Sequence, residues 1–186
     1  MPTRNRLMRG QVGASAIETL LALLPILFTG CLCIELARGY QVRHVLTLSL
    51  QDAARIAAVH QAASEKWQPA LRRALSTLFV PAGRFASPHL RQDAASQSIK
   101  QRFGLPLWEA TQLASTPDTI HLKMVYLYCP MQEWLRRMLQ AIYRMKDGPG
   151  NRWGQEYPLE QRARLQGLIP IVIEYRVHRH RSLGQH

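Results

Sequence analysis

Glu18 heads an apolar run, "TLLALLPILFTGCLCI", that carries no further charge until Glu35. A carboxylate at the edge of such a run is costly if it enters lipid, so it demands a partner or a function. Elsewhere the chemistry is thin. Cys31 and Cys33 lie inside that run and Cys129 stands alone, with no C-x-x-C to suggest zinc or redox chemistry. A cysteine nucleophile would need Cys129 together with one of His44, His60, His89, His121, His178, His180 or His186, and no spacing groups them. The acids Glu109, Asp118, Glu133, Asp147, Glu156, Glu160 and Glu174 are scattered singly. P-loop, G-x-G-x-x-G, H-E-x-x-H and G-x-S-x-G motifs are absent from the sequence. The basic tail "HRHRSLGQH" has metal-ligating residues, but a tail lacks a scaffold to fix their geometry and is expected to be solvated. The expectation is a protein that is not an enzyme and uses no cofactor or metal.

The elements that carry Glu18 and Glu35 come next. At about 1.5 Å per residue, the 16 uncharged residues make a helix of roughly 24 Å. Extending the count from Ala14 to Ala37 reaches the ~30 Å of a hydrocarbon core and puts both glutamates near the interfaces. Pro25 lies inside the run, where membrane helices tolerate it. Arg4, Arg6 and Arg9 precede the span and the first 17 residues contain no acid. Positive-inside bias therefore places this end in the cytoplasm, with Arg38 and Arg43 weakening the asymmetry. Three other readings of the run stand beside a transmembrane span. One is a secretory signal, although no A-x-A site closes it. Another is a lipoprotein box, "LFTGC", ending at Cys31. The third is a buried helix of a soluble basic protein.

The net charge is +12, from 24 Lys and Arg against 12 Asp and Glu in 186 residues. The arginines are singles and pairs, such as Arg72-Arg73 and Arg136-Arg137, and no nucleic-acid-binding signature accompanies them. No nucleic-acid partner is therefore expected. After the span, Leu36, Tyr40, Val45, Leu48, Ala53, Ile56 and Val59 recur at three- and four-residue steps, with no proline until Pro69. This predicts one long helix from about residue 14 to about residue 66. Residues 69–117 are broken by prolines at 69, 81, 88, 106 and 117. "TIHLKMVYLY" (119–128) and "LIPIVIEYRV" (168–177) alternate as strands, with Pro170 confining the second to a strand start or a sheet edge. A third strand is expected within 70–117 or 151–158. Between the two strands, Met131, Trp134, Leu135, Met138, Leu139, Ile142 and Tyr143 form an amphipathic helical stripe, expected to pack on the sheet. The fold class is α+β: a long N-terminal helix, then a small domain with a short antiparallel sheet and packed helices.

A short basic leader, Gly13, then "ASAIE" with Glu18 at the head of an apolar helix resembles a type IV prepilin signal. The ordered set Gly13, Glu18, Pro25, Glu35 and Ala53-Ala54-Arg55 resembles, over about residues 9–60, the TadE-like pseudopilins of tight-adherence (Flp, type IVb) pilus systems. The resemblance implies cleavage between Gly13 and Ala14 by a prepilin peptidase, the glycine letting the backbone enter the enzyme's cleft. It further implies that Glu18 pairs with the new amine of Ala14 on a neighbouring subunit. Thr19 follows Glu18 where major pilins of these systems carry tyrosine, so the resemblance points to a minor pseudopilin. The implied layout is a leader (1–13), a transmembrane pilin-like helix (14–37), its continuation outside the membrane (38–66) and an exported domain (67–186). The implied setting is the bacterial inner membrane, crossed once, with the N-terminus cytoplasmic and the C-terminal domain periplasmic. Partners would be other pilins and pseudopilins, pilus assembly proteins, the peptidase and inner-membrane lipid. The alternatives are an envelope lipoprotein anchored at Cys31, or a soluble basic nucleic-acid-binding domain whose first helix is merely buried.

Overall fold

A computed structural model describes residues 8–60, 64–79, 87–113, 119–147 and 158–178. The chain divides into two compact units, one up to Tyr40 and one from Gln41 onward. Helix α1, Met8–Val59, supplies all the described structure of the first unit and the opening element of the second.

In the first unit α1 runs unbroken through Pro25. A proline in a helix interior removes one backbone donor. One turn on, the Thr29 hydroxyl donates to the Pro25 carbonyl at 2.8 Å, which satisfies that hydroxyl without water.

In the second unit α1 ends at Val59, closed by the His60 amide donating to the Ile56 carbonyl at 3.0 Å. A second helix, α2, spans Ser64–Leu75 and leads into a 3-10 turn at Ser76–Leu78. The helix thus stops short of the expected residue 66, and the core explains why. Leu46 and Leu50 of α1 and Trp67, Leu71 and Leu75 of α2 are buried in one cluster. In a single straight helix Leu46 and Leu75 would stand about 43 Å apart. They share a core only because the chain turns back. The buried face of α1 also differs from the apolar recurrence in the sequence. Leu46, Leu50, Ala53, Ala54 and Ala57 are inside, whereas Leu36, Tyr40, Leu48 and Val59 are exposed. The alanines permit close approach, and the larger side chains are left on the other side.

Helix α3, Pro88–Phe103, starts by local rules. Ser87 accepts from the Leu90 amide at 3.3 Å and Pro88 takes the first helical position. Gly104, at φ 66°, closes the helix, its amide bonded to the Lys100 carbonyl. Three antiparallel strands follow: β1, Trp108–Gln112; β2, Thr119–Tyr128; and β3, Ile169–His178, in the order β1-β2-β3. The register sets Trp108 opposite Tyr126, and Met124 opposite both Ala110 and Ile173. β1 is the expected third strand. Pro170 is the second residue of β3, on an edge, as a residue without an amide hydrogen requires.

Central position makes β2 buried on both faces. Ile120, Leu122, Met124 and Tyr126 enter the cluster with α1 and α2. Val125 and Leu127 face the other way, onto Leu105, Leu159, Ala163 and Leu168. Two helices follow β2: α4, Glu133–Asp147, and α5, Leu159–Leu165. Here the structure corrects the sequence expectation. The second face of the sheet is covered by α5 and the segments flanking it, and α4 rests mainly on α5 rather than on the sheet. Leu135 is buried, but Met131, Met138 and Ile142 of the apolar stripe are exposed.

Candidate functional site

The chemistry-bearing segment is the first half of α1. From Ile17 to Gly30 every residue is exposed. The best 18-residue window has a mean hydropathy of 2.3, and only 6% of it is buried within the chain. That separates α1 from the core helix of a soluble protein, which hides an equally apolar surface against its own fold. Leu20, Leu21, Leu24, Ile26 and Leu27 are largely exposed. Each such side chain, if buried, contributes roughly 1.5–3 kcal/mol. Their sum is a strong drive into lipid or against another apolar helix. By length and composition, α1 is the one helix among the described residues able to cross a membrane.

The predicted site residues fall on this helix as follows. Glu18 is exposed. Glu35 is buried, about 25 Å further along the axis at 1.5 Å per residue. Pro25 lies between them. Gly13 and Ala14 sit in helical backbone, because α1 begins at Met8, five residues before Gly13. The bond between them is therefore inside a helix in this state.

The titratable groups of the second unit pair with one another on the sheet. Lys123 Nζ reaches Glu160 Oε1 at 2.7 Å, fastening α5 to β2. That hydrogen bond to Glu160 raises the Lys123 pKa. His121 Nε2 lies 3.3 Å from Glu174 Oε2 across the β2–β3 ladder. On α4, Glu133 contacts Arg137 at 3.2 Å and Arg136 at 3.3 Å, and the Arg137 hydrogen bond lowers its pKa. Tyr126 is buried, and burial pushes its phenol up to about 12. The sequence reading did not single out the Lys123–Glu160 pair. Its only sequence signal is a lysine inside a strand that is otherwise mostly apolar.

Cys31, Cys33 and Cys129 form no disulfide among the described residues. His44, His60, His89 and His178 are exposed, and among the described residues no three of His, Cys, Asp and Glu gather as metal ligands. His180, His186 and the rest of the tail lie outside the described residues. The arrangement is suited to association through an apolar helix. Comparison of the chain with family models, with curated proteins and with solved structures finds no match.

Proposed function

We propose that this chain is a minor pseudopilin, or assembly component, of a type IVb (tight-adherence) pilus or a related secretion system. It crosses the bacterial inner membrane once, N-terminus in the cytoplasm and C-terminal unit in the periplasm. The observation that carries the reading is the exposed apolar half of α1, with Glu18 at its head and a folded α+β unit built on the other half of the same helix. The resemblance of Gly13, Glu18, Pro25, Glu35 and Ala53-Ala54-Arg55 to the TadE-like pattern supports the pilus assignment. Arg4, Arg6 and Arg9 support the orientation.

The work is done by association. After cleavage at Gly13–Ala14 the amine of Ala14 pairs with Glu18 of a neighbouring subunit. The ion pair offsets the cost of holding a carboxylate near lipid. The apolar stretch joins a bundle of like helices, and the periplasmic unit caps, initiates or modulates the fibre. Function here needs neither a cofactor nor a catalytic group.

The mass of the mature N-terminus tests this. A chain that begins at Ala14 supports the reading. One that begins at a lipid-modified Cys31 replaces it with an anchored lipoprotein, and one that retains Met1 removes processing. Glu18→Leu is expected to leave membrane insertion intact and to reduce fibre assembly or co-purification with other pilins at least tenfold. Unchanged assembly in that variant would sink the pairing role.

A further inference from the structure

The backbone bonds of the sheet fix which way each peptide group of β3 points. The Leu127 amide donates to the Leu107 carbonyl and the Leu113 amide to the His121 carbonyl, both at 2.9 Å. Odd-numbered residues of β2 therefore bond towards β1, and its even-numbered residues bond towards β3, because the direction alternates along a strand. Those even residues stand opposite odd ones, Leu122 opposite Tyr175 and Met124 opposite Ile173. The N–H and C=O groups of Val172, Glu174, Arg176 and His178 consequently point away from the sheet. Pro170, which has no N–H to offer, falls in the same outward set, an independent check on the assignment. Among the described residues no strand lies beyond β3. Such a row of backbone groups is a template for another strand, and natural edges are usually kept short or broken. The opposite edge, β1, is short at five residues, but β3 runs for ten, as long as the central strand. Its proline blunts only one end.

We propose that β3 pairs edge to edge with β3 of a second copy of this chain, antiparallel about a two-fold axis at Tyr175, which joins two three-stranded sheets into one. A two-fold contact sets a strand against itself, so the strand must be complementary to its own reversal. In this register β3 is. Glu174 stands opposite Arg176 of the second copy, Arg176 opposite its Glu174, and Val172 opposite its His178. All of these residues direct their peptide groups outward, so opposite residues exchange backbone bonds as an antiparallel ladder requires. Glu174 and Arg176 are exposed. Glu174 meets His121 through Oε2 at 3.3 Å, yet its side chain stays 48% exposed, which leaves room for a second cation. Moving the axis to Glu174 or to Arg176 sets like charges directly opposite, which is destabilising. Tyr175 meets its own counterpart in the closer, non-hydrogen-bonded kind of pair, where aromatic side chains interact. Ile173, Tyr175 and Val177 all belong to the main cluster, so the pairing carries that apolar face across the junction. The contact lies wholly in the second unit and does not depend on the membrane or pilus reading.

The test uses the full chain in detergent, with Cys31, Cys33 and Cys129 changed to Ser. Residues opposite each other in a non-hydrogen-bonded pair have Cα atoms about 4.5 Å apart, within reach of a disulfide. Under oxidation by copper-phenanthroline, Tyr175→Cys is expected to give a disulfide-linked dimer. Ile173→Cys alone is expected to give none, and Ile173→Cys mixed with Val177→Cys is expected to give the mixed dimer; that mixture keeps the test valid if Tyr175→Cys fails to fold. In the Tyr175→Cys background, Glu174→Arg or Arg176→Glu alone should lower the dimer yield roughly tenfold, because both ion pairs are lost and like charges replace them. An equal mixture of those two charge variants should restore it, since every facing pair is then of opposite sign. Absence of both the Tyr175→Cys dimer and the mixed dimer would overturn the proposal. So would equal cross-linking at Ile173→Cys and Tyr175→Cys, which would mean association through another surface such as α1, and so would a charge-variant mixture that fails to recover.

Discussion

Tyr126 shows how one residue couples position to stability. Its phenol sits in the core opposite Trp108, and burial holds its pKa at about 12 against an ordinary 10.0. A raised pKa means that the folded state keeps its proton after the unfolded state has lost it. The contribution is complete below pH 10 and is lost as pH rises towards 12. Two units correspond to roughly 2–3 kcal/mol. The raised pKa of Lys123 acts in the same direction above its ordinary value, through its bond to Glu160. Tyr126→Phe separates the two. Unfolding between pH 9 and 11.5 should show a markedly shallower alkaline loss of stability in the variant than in the parent. Gly167 carries a different constraint. Its φ is 73°, and a Cβ placed there would run into the Arg136 carbonyl of α4. Gly167→Ala should therefore lower stability by roughly 1–3 kcal/mol from backbone strain alone, read as a fall in urea midpoint with an unchanged slope.

At the scale of elements, α4 buries little of its apolar stripe. Its apolar stripe is clear in the sequence, yet Met138 is 39% and Ile142 46% exposed, while Leu135 is 7% exposed. The stripe is therefore anchored at Leu135, and α5 occupies the sheet face that α4 would otherwise take. Two substitutions of the same kind should differ widely. Ile142→Lys is expected to change stability by no more than about 0.5 kcal/mol, as for surface positions generally. Leu135→Lys should cost several kcal/mol, because it places an unpaired charge in a packed site. Thermal unfolding of the two variants side by side checks this. Similar losses would mean that α4 is buried along its whole stripe.

The whole molecule joins an exposed apolar helix to a conventionally buried α+β core. Helix α1 belongs to both units, with its side chains exposed from Ile17 to Gly30 and buried at Leu46, Leu50, Ala53, Ala54 and Ala57. One helix can be exposed along one half and buried along the other because its composition changes along its length, from large aliphatic residues to an alanine-rich stretch. If the first half spans a bilayer, a charge near its middle is costly. Leu24→Asp should reduce membrane insertion by about 3 kcal/mol on insertion scales. In fractionation with alkaline carbonate, the parent chain is expected in the pellet and Leu24→Asp largely in the supernatant. Equal recovery of both in the supernatant would remove the transmembrane assignment.

Much of this was legible from local pattern. The 119–128 strand is found at the expected residues and the second strand within one residue, because an alternating period of two reports the face of a strand directly. The apolar stretch after Glu18 is equally plain, since hydropathy over 18 residues needs no knowledge of neighbours. Long-range contacts settled the rest. α1 and α2 contribute Leu50 and Trp67 to one buried cluster, which a single straight helix to residue 66 would not allow. The buried face of α1 is the one that lets α2 and β2 approach, not the one with the largest side chains. The place of α4 depends on α5, which packs on the sheet and carries α4 on its other side. The outward-facing backbone groups of β3 are fixed by the registers of both ladders, which no local window brings together. Periodicity shows that a face is apolar; what covers that face depends on the rest of the chain and, for α1, on what lies beyond it.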